Sequence, residues 1–166
     1  MEETGFGYLT DMGGRVKVEL QTVKGQLSEG KTSDAMATLA KAEDKLNALV
    51  YYDFPITEAR QLVYDSSRLH AMEHRNESLA HLDRAESVLN TIAAHGNVTI
   101  VKTLEKTLAM VDELQLLLED ERRKTSPKER AEMSLKVAAK FQELGHKINM
   151  MAIKSDLVLS GSHFSD

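Results

Sequence analysis

Three of the chain's six histidines stand within the twelve residues His70-Ala-Met-Glu-His-Arg-Asn-Glu-Ser-Leu-Ala-His81. On a helix, His70 and His74 lie on one face a turn apart, where two neutral imidazoles can share a metal ion. His81 could join them across a turn as a third ligand. His70-x-x-Glu73-His74 is also the H-x-x-E-H spacing of one class of zinc peptidase, in which the glutamate is the general base and a distant acid completes the zinc shell. That chemistry needs an α/β domain with a sheet, and nothing here reads as a sheet. A simple site of His70, His74 and His81 needs no such context. The alternative is a helix terminus, where His70, His74 and Arg75 in the last turn favour the exposed carbonyls and the dipole.

Other chemistry is thin. Glu143-Leu-Gly-His146 has the spacing of a di-iron ligand pair, but there is no second such pair, and His146 falls off the apolar stripe of its helix. Zero cysteine excludes disulfides, thiolate metal sites and thiol nucleophiles. No Gly-x-Ser-x-Gly, Walker A or Gly-x-Gly-x-x-Gly occurs. The expectation is therefore no enzyme, no catalytic residue and no cofactor. With a net charge of −5 and no basic stripe, no nucleic-acid partner is expected. No apolar run is long enough for a membrane span, and Met1-Glu-Glu-Thr-Gly does not read as a signal peptide.

The elements that must carry these residues are helices. Two prolines and no tryptophan stand among many Ala, Leu, Lys, Glu and Met. Residues 1–14 read as a flexible lead-in with four glycines. A first helix over about 15–28 has the stripe Val16, Leu20, Val23, Leu27, and Gly30 stops it. A second, capped by Ser33, has Met36, Leu39, Ala42, Leu46 and Leu49 inside and ends by Asp53, ahead of Pro55. Pro55 starts a third, with Ile56, Ala59, Leu62, Val63, Ser66 and Leu69 buried. Asn76 caps a fourth with Leu79, Leu82, Ala85, Leu89 and Ile92.

A fifth helix, about 99–124, spaces Val101, Leu104, Leu108, Val111 and Leu118 in heptads, with Gln115 as a polar exception. Ser126-Pro127-Lys128-Glu129 opens a sixth, with Met133, Val137, Phe141, Leu144, Ile148 and Met151 inside. Residues 158–166 read as a frayed tail. The expected fold is all-α: an antiparallel bundle of about six helices, one domain over 15–157.

Ser33-Asp-Ala-Met-Ala-Thr-Leu-Ala-Lys-Ala-Glu-Asp-Lys-Leu-Asn47 recurs as Asn76-Glu-Ser-Leu-Ala-His-Leu-Asp-Arg-Ala-Glu-Ser-Val-Leu-Asn90, an offset of 43 residues that keeps Ala37/Ala80, Leu39/Leu82, Ala42/Ala85, Glu43/Glu86, Leu46/Leu89 and Asn47/Asn90. Each copy is the second helix of a hairpin. That period matches a helical-hairpin unit, and two copies suit a bundle of duplicated hairpins better than a solenoid.

The same region, about residues 18–92, resembles the bacterial YfdX family. Gly30, Ala35, Leu39, Ala42, Pro55, Ser78, Leu79, Leu82 and Ala85 carry the resemblance. The family's second turn glycine is missing, since Glu73-His-Arg-Asn76 stands there, and Phe54 replaces its small residue before the proline. The resemblance implies an all-helical, exported bacterial protein that self-associates, is linked to stress response and has no established catalysis. It would be periplasmic once a signal peptide is removed; otherwise the cytoplasm is expected.

The leading functional expectation is a non-enzymatic bundle acting as a homo-oligomer or by binding another protein, through a helix face left over when the core closes. Leu104, Leu108 and Val111 on the fifth helix, and the aromatic corner Tyr51, Tyr52 and Phe54, are the interface candidates. The alternative is a small metal-binding or sensor bundle centred on His70, His74 and His81.

Overall fold

The computed structural model describes the backbone of residues 4–95 and 98–159 and the side chains of 13–95 and 100–152. All its elements are helical: α1 (Thr4–Ser28), α2 (Thr32–Ala48), α3 (Phe54–Ala71), α4 (Arg75–His95), α5 (Val98–Arg123) and α6 (Pro127–Leu159). The expected all-α class is what the structure has. The expected lead-in over 1–14 is helical from Thr4 onward. Most of the expected tail, beyond Leu159, lies outside the described residues.

The chain divides into two compact units, Met1–Asp53 and Phe54–Asp166. No non-helical residue separates α2 from α3. A π turn over Leu49–Asp53 carries the backbone between them where a break was expected. Pro55 has no amide N–H, and its ring crowds the carbonyl four residues back. A widened turn just ahead of it relieves that crowding without ending the helix.

The second unit is a four-helix bundle. Each of α3, α4, α5 and α6 packs on the next, and α6 packs back on α3. Short connections make neighbours antiparallel. Its core is written in heptads. Ile56, Ala59, Val63, Ser66 and His70 on α3 face Ser78, Leu82, Ala85, Leu89 and Ile92 on α4. The other wall is Leu104, Thr107, Val111, Leu114, Leu118 and Glu121 on α5 with Val137, Phe141, Leu144, Ile148 and Met151 on α6. Alternating steps of three and four keep one seam of each helix turned inward.

The first unit is the α1–α2 hairpin. Its buried seam is thin: Val16 on α1, Ala35 and Ala42 on α2 and Leu49 in the π turn are its buried apolar side chains among those described. Lys45 and Glu19 pair across the two helices.

The two hairpin turns are alike bond for bond. Gly30 N–H donates to Leu27 O and Lys31 N–H to Gln26 O; 43 residues on, Glu73 N–H donates to His70 O and His74 N–H to Leu69 O. Both sets form a Schellman cap, and both central residues are left-handed, Gly30 at φ 75° and Glu73 at φ 64°. The bonds that follow also match, Ala35 N–H to Lys31 O and Ser78 N–H to His74 O. The helices thus start one or two residues before the expected caps. Lys31 takes the place assigned to Ser33, and His74 the place assigned to Asn76. The repeat seen at an offset of 43 is a repeat of whole hairpins.

Candidate functional site

The most chemically loaded place in the second unit is where the end of α3, the start of α4 and the end of α5 meet. His70 projects from the last turn of α3 into the bundle and is buried. Its Nε2 lies 2.8 Å from Glu121 Oε2. Glu121 has no exposed surface at all, and its other oxygen, Oε1, accepts from Arg75 Nε at 3.1 Å. Phe141 of α6 closes the side, its ring centre 5.9 Å from that of His70.

A carboxylate removed from water needs partners for both oxygens, and here a histidine supplies one and a half-buried arginine the other. The cluster is a satisfied polar plug at one end of an apolar core. One turn deeper is a second polar layer. Ser66 Oγ donates to Ser78 O at 2.6 Å, and Ser78 Oγ donates to Ser66 O at 2.8 Å. Two small side chains that satisfy each other's backbone let α3 and α4 approach closely there.

The three histidines expected to share a metal are not brought together. His70 faces Glu121 inside the bundle. His74, at the start of α4, is exposed, with Nδ1 3.7 Å from Glu77 Oε1. His81 places Nδ1 2.9 Å from its own helix's Glu77 O. Among the described residues no three His, Asp or Glu side chains are arranged to hold a metal ion. The turn that gives His70 its buried place gives His74 an exposed one, because the helix ends between them. An open depression beside the turn has Glu73, Glu77 and Asp83 together with Arg75 and Arg122 on its wall, so it presents no single sign of charge. Glu143 of the Glu143/His146 pair is bound to Lys140, 3.2 Å away, and Lys140 also reaches Glu113 of α5 at 2.9 Å. These two hydrogen bonds, that to Glu113 foremost, hold the Lys140 ammonium above its usual pKa.

Two of the interface candidates on α5 need correction. Leu104 and Val111 are fully buried within the bundle, so neither can also meet a partner, and Leu108 beside them is half-buried. The long heptad stripe of α5 is consumed by α4 and α6. Of the aromatic corner, Tyr51 and Phe54 are exposed and Tyr52 is half-buried. Burial, and then the charge of Asp53, push the Tyr52 hydroxyl up to about 12.

The uncovered apolar face lies elsewhere, on the first unit. Leu20 and Leu27 on α1, Met36, Leu39 and Leu46 on α2 and Val50 in the π turn are all exposed. Five of the six, all but Val50, were expected inside. The stripes themselves are legible, but within the hairpin each helix has only the other to bury them against.

Comparison of the chain with protein-family models, with curated proteins and with solved structures finds no match.

Proposed function

We propose that the protein is a non-enzymatic helical-bundle protein that acts by self-association or by binding another protein. The observation that carries this reading is the exposed stripe Leu20, Leu27, Met36, Leu39, Leu46 and Val50 on the α1–α2 hairpin. Large apolar side chains grouped on one face of a helix pair mark an interaction surface more often than a bare exterior. An isolated two-helix hairpin with so thin a seam also gains little from its own packing, since helices in proteins are held mainly by burial of an amphipathic face. A covered stripe supplies the missing burial. A stress-related role, as in the YfdX family that residues 18–92 resemble, fits a protein of this kind.

The chain has no cysteine, so a single thiol reads one place cleanly. The Leu39→Cys variant is to be labelled over a range of protein concentrations while sedimentation reports the mass. The reading expects a thiol that reacts freely in a lone chain and slowly in an assembly. A thiol equally protected at every dilution in a chain that stays monomeric overturns it.

A further inference from the structure

The occupant of the exposed stripe is legible from the chain's own repeat. Moving 43 residues along, Val16, Leu20, Val23 and Leu27 of α1 become Ala59, Val63, Ser66 and His70 of α3, every one of them buried. Ala35, Leu39, Ala42 and Leu46 of α2 and Leu49 of the π turn become Ser78, Leu82, Ala85, Leu89 and Ile92 of α4, again all buried. Leu39 and Leu46 are 48% and 44% exposed, whereas Leu82 and Leu89 are 0% exposed. The difference is the number of neighbours. The α3–α4 hairpin meets a second hairpin, α5–α6, which covers the half of the seam that one helix pair leaves open.

We infer that the α1–α2 hairpin is half of a four-helix bundle, and that the α1–α2 hairpin of a second copy of this chain completes it. The inference rests on the interaction-surface reading proposed above and names its partner.

The charges flanking the stripe are self-complementary. In the hairpin, the Glu19–Lys45 pair fills one flank of the seam and fixes the register, so that Glu43 lies at about the level of Leu20. The other flank carries Lys17 and Lys24 on α1 and Glu43, between Met36 and Val50, on α2; all five are exposed. When two hairpins join with their turns at the same end, each α1 runs antiparallel to the α2 of the other copy. Glu43 then falls between Lys17 and Lys24 of the partner subunit, twice by symmetry, as an isologous contact requires. The second unit shows the corresponding contact already made. Glu86, the repeat equivalent of Glu43, accepts from Gln115 Nε2 of the facing hairpin at 2.9 Å.

Sedimentation equilibrium of the full chain and three variants tests this. Wild type is expected to dimerise. Leu39→Glu/Leu46→Glu alters side chains that are exposed in the single chain, and should weaken the dimer at least about 100-fold, since four buried leucines are lost per dimer. Glu43→Lys should weaken it about three- to tenfold. Adding Lys17→Glu/Lys24→Glu to Glu43→Lys should restore it, a rescue that a folding defect would not give.

A dimer that survives Leu39→Glu/Leu46→Glu overturns the inference and leaves self-association through another face. A wild-type monomer whose Leu39→Cys thiol reacts freely also overturns it, and leaves the stripe to a different protein. A monomer with that thiol protected at every dilution overturns both readings.

Discussion

Glu121 and His70, fifty-one residues apart in the chain, meet at 2.8 Å in a place solvent does not reach. One comes from the last turn of α3 and the other from the last full turn of α5, so the contact exists only when both hairpins of the second unit are in place. Arg75 holds the second carboxylate oxygen at 3.1 Å.

Removing one member of such a cluster leaves the others buried without a partner, which costs far more than the cluster itself is worth. Glu121→Ala should therefore lower the unfolding free energy by about 3 kcal/mol, measured by urea denaturation. Replacing both Glu121 and His70 with leucine should cost much less or even stabilise, because Arg75 is partly exposed and can turn to water. A Glu121→Ala variant as stable as wild type would show that the carboxylate is solvated after all.

The two hairpin turns make a matched pair of substitutions. Glu73 holds a left-handed backbone that its Cβ disfavours, whereas Gly30 holds the same backbone freely. Glu73→Gly should stabilise the second unit by about 0.5–1 kcal/mol, and Gly30→Ala should destabilise the first by about 1 kcal/mol. No atom lies within 4 Å of a Cβ built at Gly30, so the loss would be one of backbone conformation alone. Thermal unfolding of the two variants reads both signs, and equal signs would rule out the backbone explanation.

Tyr52 gives the fold an alkaline dependence. Burial and then Asp53 raise its pKa from 10.0 to about 12, so the folded chain holds the phenolic proton more tightly than the unfolded chain. The stabilisation is complete below pH 10 and is lost as pH rises through about 12. Its size is about 1 kcal/mol once solvent screening of a half-buried ring is allowed for. In a spectrophotometric titration Tyr52 should ionise late, and Tyr52→Phe should remove that step and flatten stability between pH 10 and 12.

Much of the helical layout could be read from the sequence because stripe and cap agree along the chain. Ser126-Pro127 opens α6 as read, and Val137, Phe141, Leu144, Ile148 and Met151 are its buried face. On α5 the sequence offers two heptads, and the more apolar one, expected inside, is not the buried one. Both share Leu104, Val111 and Leu118. One adds Val101, Leu108 and Gln115, the other Thr107, Leu114 and Glu121, and the second is the buried one. Its threonine and glutamate hide it from any count of apolar residues. The buried cluster was missed for the same reason: Glu121 looks like surface until His70 and Arg75 are seen to satisfy it. A lone acid in register three residues past Leu118 was the available signal. The π turn is not legible because Pro55 reads as the start of a new helix after a break at Asp53, although a helix can widen and continue.

The two polar layers of the second unit also act as an address. Its α5–α6 pair offers a buried acid that a histidine and an arginine must meet. The first hairpin, at the equivalent of His70, has only Leu27, and at the equivalents of Ser66 and Ser78 it has Val23 and Ala35. If α1–α2 took the place of α3–α4 during folding, Glu121 would be shut away facing a leucine. That mismatch would keep α1–α2 out of the place of α3–α4, as rejection of a wrong partner does at any selective interface.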